Sequence, residues 1–86
     1  NLPNLTMNIG KRSRYRVRLI HRNVPGVMAR VNQIFASSEA NVDAQILATV
    51  DEVGYVLTDI SAGLGREALK ELSHLPETVR LIATPL

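Results

Sequence analysis

The strongest constraint on the fold is a hydrophobic period that changes repeatedly along the chain. Residues 14–19 alternate arginine with apolar side chains, which is the two-residue period of a strand buried on one face. The next apolar residues follow at helical spacing: Val27, Val31, Ile34 and Phe35. Residues 42–50 and 56–60 return to the strand period on either side of a turn at Asp51-Glu52. This first half therefore predicts a strand, a helix and a β-hairpin.

The second half adds one more helix and one more strand. A second helical stripe consists of Leu64, Ala68, Leu69, Leu72 and Leu75, and Pro76 closes it. Residues 79–83 alternate again and form a last strand. The order β-α-β-β-α-β predicts a ferredoxin-like α+β domain, a four-stranded antiparallel sheet with both helices on one face. We expect residues 13–86 to form this domain and residues 1–12, which lack a period, to be a linker from a preceding domain.

Such a sheet leaves its second face open, and the alternation predicts which side chains lie there. We expect the arginines of this face, Arg14, Arg16 and Arg18, to be solvated or paired across strands, with Asp59 on the neighbouring third strand as the partner. In the hairpin, Val42, Ala44, Ile46, Ala48 and Val50 are expected to turn toward the helices. The open face is expected to carry Arg14, Arg16, Arg18, Asp43, Gln45, Thr49, Tyr55, Leu57 and Asp59.

Composition and motifs exclude several function classes. The chain has no cysteine, which rules out disulfides and thiolate metal sites and suits a cytoplasmic protein, and no apolar run is long enough to cross a membrane. No catalytic triad or cluster of metal-ligand spacing is visible, so we expect no enzyme activity, metal or cofactor on this chain. Residues 63–68 match the glycine pattern of dinucleotide sites, but the acidic residue about 20 positions later is missing, and we interpret them as a helix entry.

A basic first third keeps nucleic acid as a weaker alternative. Seven cations precede the first acid, Glu39: Lys11, Arg12, Arg14, Arg16, Arg18, Arg22 and Arg30. Proteins of this fold bind single-stranded RNA by stacking bases on sheet aromatics. Tyr55 is available for stacking, but Tyr15 is expected to face the core, and solvated arginines explain the charge more simply.

The candidate binding site is the turn between the first strand and the first helix. The strand ends in polar residues, and Pro25-Gly26 then leads into the helix. Free N–H groups in the first turn of a helix favour a carboxylate, and a glycine lets a small ligand approach the backbone. His21 and Asn23 add hydrogen-bonding side chains. The alternative is structural: Asn23 caps the helix and His21 is exposed at a strand end. The residues alone leave both possibilities open.

At these residues the sequence resembles the C-terminal ACT domains of D-3-phosphoglycerate dehydrogenases. The resemblance rests on residues 21–27 (HRNVPGV), 34–35 (IF), 41–45 (NVDAQ) and 54–56 (GYV). Residues 1–3 (NLP) are similar to the stretch that leads out of the preceding domain in that family. It implies a regulatory domain that pairs side by side with a second copy and binds L-serine at the seam. Val24 departs from the motif, which often has a basic residue there.

The resemblance also implies a set of ligand residues and partners. His21 and Asn23 would come from one subunit and Asn41 from the other. The adjoining contact residues would be Pro25, Gly26, Val27 and Val42. Dehydrogenase domains that use NAD would precede this chain. The alternatives are an ACT sensor for another amino acid and a dimerisation module without a ligand.

Overall fold

The fold has the element order that the sequence predicts. The computed structural model describes residues 14–61 and 64–86, so the predicted linker at 1–12 and Gly63 of the glycine motif lie outside the described residues. The elements are β1 (Tyr15–Arg22), α1 (Val27–Ser37), β2 (Val42–Val50), β3 (Val53–Ile60), α2 (Arg66–Ser73) and β4 (Thr78–Pro85).

The four strands form one antiparallel sheet in the order β2-β3-β1-β4. The two central strands are β1 and β3, while β2 and β4 are the edges. This confirms the ferredoxin-like arrangement, with the helices on one face and the other face open.

The core lies between the helices and the sheet. All four apolar residues predicted for the inner face of α1 are buried, namely Val27, Val31, Ile34 and Phe35. They pack with Val17 and Leu19 of β1 and with Val56 and Ile60 of β3. From α2 only Ala68 and Leu72 are buried, while Leu64 and Leu75 pack against the core from outside the helix. The second helix is therefore shorter than its apolar stripe.

The prediction for the faces of β2 was wrong from Ala44 onward. A bulge between Val42 and Ala44 shifts the register, so Gln45 stands opposite the buried Thr58, on the helix side. Its side-chain amide donates to Thr58 Oγ1 and to Asn32 Oδ1 of α1, each at 2.9 Å. The extra residue exchanges the two faces of the strand. Gln45, Leu47 and Thr49 therefore face the helices, and Ala44, Ile46, Ala48 and Val50 lie on the open face.

Asp59 pairs with the arginine face of the first strand, as the sequence analysis predicts, and the structure shows that Arg16 is the arginine involved. Arg16 donates to both carboxylate oxygens of Asp59, from Nε at 2.7 Å and from Nη2 at 2.9 Å. Asp59 is completely buried although it belongs to the open face. The hydrogen bond to Asp59 raises the pKa of the Arg16 guanidinium.

Candidate functional site

The turn from β1 into α1 is held by backbone hydrogen bonds. Asn23 N–H donates to the Glu52 carbonyl at 2.7 Å, which ties the turn to the β2–β3 hairpin. Val24 N–H donates to the Arg22 carbonyl at 3.0 Å. Gly26 then adopts a left-handed conformation with φ of 86°, which side chains disfavour. The site predicted here is thus a fixed backbone loop.

The first turn of α1 keeps N–H groups without partners. The helix begins after Gly26, and no side chain caps it, so the alternative in which Asn23 caps the helix is wrong. Val27 N–H reaches the Val24 carbonyl at only 3.4 Å. Within the described ranges, the N–H groups of Met28 and Ala29 have no acceptor. These groups, together with the helix dipole, favour an anion at this point.

His21 is buried beside this turn, with 1% of its surface exposed. The alternative in which it is an exposed strand end is therefore wrong. Its Nδ1 lies 2.9 Å from the Arg22 carbonyl oxygen, and because a carbonyl only accepts, Nδ1 carries the proton. Its Nε2 is buried and has no hydrogen-bond partner among the residues that the structure describes. In the neutral ring Nε2 is an acceptor, so it suits a ligand group that donates.

A single signal in the sequence could have revealed the burial of His21. The inward-facing positions of β1 are Tyr15, Val17 and Leu19, and His21 is the next residue at the same two-residue spacing. A buried imidazole with one unsatisfied nitrogen is costly unless something binds to it. That cost is the strongest indication of a ligand in the described part of the chain.

The remaining predicted site residues fall into two separate groups. Asn23, Pro25 and Gly26 are exposed around the turn. Val27 is buried in the core, so it can offer a ligand only its backbone. Asn41 lies far away: Val42 pairs with Ile60 at one end of β3, whereas His21 pairs with Gly54 near the other end.

The two groups are therefore too far apart to share one ligand within a single chain. Strand geometry of about 3.3 Å per residue separates the two ends of β3 by roughly 20 Å. Asn41 instead donates from its side-chain amide to Asp43 at 2.8 Å. The next residue, Val42, begins edge strand β2 and is exposed.

Two kinds of feature were not found among the described residues, a metal-binding cluster and a membrane-spanning helix. In residues 14–61 and 64–86, no three His, Asp or Glu side chains converge into a metal-binding group. Neither helix in those ranges has the length and apolar character needed to span a bilayer.

Comparison with known proteins identifies relatives for this arrangement. The family model described as "AHAS small subunit-like ACT domain" matches residues 17–80. D-3-phosphoglycerate dehydrogenase of Dictyostelium discoideum is 35% identical over 80 residues, which cover 93% of this chain and 19% of that protein. The enzyme of that name from Escherichia coli K12 is 41% identical over 63 residues, or 71% of this chain and 15% of that protein. The chain thus spans less than a fifth of the length of these curated relatives.

A solved structure shares the fold. The regulatory subunit of aspartate kinase from Thermus thermophilus, in a ligand-free form, superposes with a TM-score of 0.69 at 25% identity. The superposition covers 85% of this chain and 51% of that one.

Proposed function

The chain belongs to the ACT domain family, and we propose that it is the serine-sensing regulatory domain of a D-3-phosphoglycerate dehydrogenase. The observation that carries this proposal is the buried Nε2 of His21, which has no hydrogen-bond partner in residues 14–61 and 64–86. It belongs to the same turn as a helix start whose N–H groups are also free in those ranges. The two curated relatives supply the biological context, since both are named D-3-phosphoglycerate dehydrogenase. The NAD-dependent chemistry would belong to other domains of a cytoplasmic enzyme.

The groups around the turn match the groups of L-serine. A carboxylate fits the free N–H groups of Met28 and Ala29. The ammonium or the hydroxyl of the ligand can donate to Nε2 of His21. The side-chain amide of Asn23 can both donate and accept, and it is exposed at the turn. A small amino acid would satisfy each of these groups at once.

Pairing of two copies through β2 would complete the site. This strand is an edge and exposes Val42, Leu47 and Val50, which is unusual for an unprotected edge. If two β2 strands pair antiparallel along their length, the start of one lies beside the end of the other. Asn41 of the partner subunit then approaches the end of the sheet where His21 and Asn23 lie. The separation of the two groups within one chain is what such a shared site requires.

Regulation would follow from linkage between ligand and subunit arrangement. A ligand that contacts two subunits stabilises the arrangement that holds it best, by the difference in its affinity for the alternatives. In a full-length enzyme, this arrangement would also determine how the catalytic domains are held.

Calorimetric titration of the chain with L-serine, D-serine, glycine and L-phenylalanine tests the ligand. We expect heat of binding from L-serine with an affinity in the micromolar to millimolar range, about −8 to −4 kcal/mol. A response to phenylalanine alone would favour a sensor for another amino acid. No response to any of the four would favour a dimerisation module without a ligand.

Mixing two variants that each bind serine weakly tests whether the site is shared between two subunits. Asn23→Ala and Asn41→Ala should each weaken serine binding, whereas Gln33→Ala, which removes an exposed amide on α1, should not. In a mixed dimer of the two variants, one site carries both substitutions and the other carries neither. We therefore expect mixing to restore strong binding at up to half of the sites in the mixed dimers. Absence of any recovery, with subunit exchange confirmed by mass spectrometry, would contradict a site built from two subunits.

A further inference from the structure

We infer that Gly54 of β3 is a positioning residue that holds the His21 imidazole in its binding orientation. The inference rests on the proposed ligand site at His21. Gly54 has no side chain, so it cannot bind the ligand through a functional group and acts only through His21.

The His21 ring occupies the space that a side chain at position 54 would need. The two residues are directly opposite each other in the β1–β3 ladder. A Cβ atom added to Gly54 would lie 2.6 Å from Nε2 and 3.0 Å from Nδ1 of His21, and still closer to the ring carbon between them. Contacts this short do not occur in folded proteins, so the ring lies flat against a stretch of β3 that only glycine leaves free.

The backbone at this position does not itself require glycine. Among the described glycines, only Gly26 has a positive φ, and Gly54 belongs to a regular strand. Glycine in a strand interior loses conformational entropy on folding and contributes no packing, which makes it unfavourable there. The close approach of the imidazole is the feature of the structure that accounts for this glycine.

Two contacts together fix the ring. The Arg22 carbonyl accepts from Nδ1, which sets the tautomer and the rotation of the ring. The bare backbone at Gly54 sets how deeply the ring sits. The result is a buried acceptor at Nε2 on a ring that is held in one orientation, and a fixed ring lowers the entropic cost of binding. Any side chain at position 54 forces the ring to rotate away and to lose both features.

A four-protein cycle tests this inference: wild type, Gly54→Ala, His21→Ala and the double variant. Gly54→Ala should lower serine affinity at least tenfold and change the imidazole ¹⁵N signals of His21, which report the tautomer. The matched control is Gly65→Ala, because a Cβ there meets no atom of the described residues within 4 Å and its φ of −66° suits alanine. This control should bind serine like the wild type.

Denaturant unfolding of the same proteins separates positioning from general damage to the strand. Gly54→Ala should lower the unfolding midpoint in the wild-type background but not in the His21→Ala background, where no ring is present. Failure of Gly54→Ala to fold, with a folded double variant, would support the inference equally well. Equal destabilisation in both backgrounds, or unchanged ¹⁵N signals in Gly54→Ala, would overturn the inference. If the wild type binds no serine, the proposed function fails, while the ¹⁵N signals and the unfolding cycle still decide the role of Gly54.

Discussion

The two central strands each bury one ionisable side chain, Asp59 on β3 and His21 on β1, and the two differ in their hydrogen bonding. Asp59 on β3 is completely buried and receives two hydrogen bonds from Arg16. His21 on β1 is equally buried, but only one of its nitrogens has a partner. Asp59 lies on the open face toward one end of the sheet, and His21 lies under the helices toward the other.

Under the proposed function, the difference separates a structural polar group, Asp59, from one that binds a ligand, His21. A buried charge with a complete internal partner contributes to one specific fold, and a later ligand has nothing to add. A buried nitrogen without a partner destabilises the free protein by the desolvation that it does not recover. A ligand that reaches this nitrogen recovers that free energy, so the second arrangement favours binding.

The largest expected effect comes from breaking the complete pair. Arg16→Ala leaves the Asp59 carboxylate buried and alone, and it should lower the free energy of unfolding by about 3 kcal/mol. Denaturant unfolding measures the change. The control is Arg18→Ala on the same face, where the guanidinium donates only to Thr84 Oγ1 at 3.1 Å, and it should cost less than about 1 kcal/mol. Equal losses in the two variants would remove the distinction between Asp59 and an ordinary surface contact.

The next largest effect is a loss of serine affinity in Asn23→Ala without a change in the free energy of unfolding. The side chain of Asn23 is exposed at the open turn and has no hydrogen bond within the described residues, so Asn23→Ala should leave unfolding unchanged. Serine affinity should nevertheless fall by about 1–3 kcal/mol, the usual cost of a lost hydrogen bond in a desolvated site. Calorimetry and denaturant unfolding on the same sample check both halves. A loss of stability as large as the loss of affinity would make Asn23 a structural residue.

Replacement of His21 by an apolar residue should cost the free protein little. His21→Leu removes the hydrogen bond from Nδ1 but also removes the unsatisfied Nε2, so the free energy of unfolding should stay within about 1 kcal/mol of the wild type. Serine binding should be lost. A destabilisation as large as that of Arg16→Ala would mean that His21 is as structural as Asp59, contrary to the comparison.

The smallest expected effect is that of pH on the ion pair. The hydrogen bond to Asp59 raises the folded-state pKa of Arg16, so its stabilisation is fully present below the unfolded pKa and is lost only as pH rises through the folded value. Both values are strongly alkaline for arginine. The destabilisation by Arg16→Ala should therefore be the same from about pH 8 to about pH 10. A change across that range, measured by unfolding at several pH values, would show that the pair depends on another titrating group.

The core and the central pairing could be predicted because one physical pattern determines each of them. The apolar residues of α1 follow one helical period and meet one core, so all four predicted positions are buried. Arg16 and Asp59 occupy outward-facing positions on two strands that the fold places side by side. Propensity, period and topology agree at these positions.

Edge strand β2 and the details of the site required information that the pattern lacks. The alternation in β2 is equally compatible with either face inward, and the bulge between Val42 and Ala44 decides which one is correct. The sequence located the turn around Gly26 but not the contact between His21 and Gly54. That contact depends on the register of two strands from separate parts of the chain, which no local pattern specifies.

The bulge in β2 has a consequence for how chains of this kind can vary in length. The bulge already accommodates one extra residue between Val42 and Ala44. Which face a side chain occupies after the bulge therefore does not follow from the alternation of side chains before it. The deletion or insertion of a single residue at this point would alter the loop before β2. It would leave Gln45 on the helix side, in contact with Thr58 and Asn32. The same change a few residues later, within β2, would move the side chains that follow it to the opposite face of the sheet.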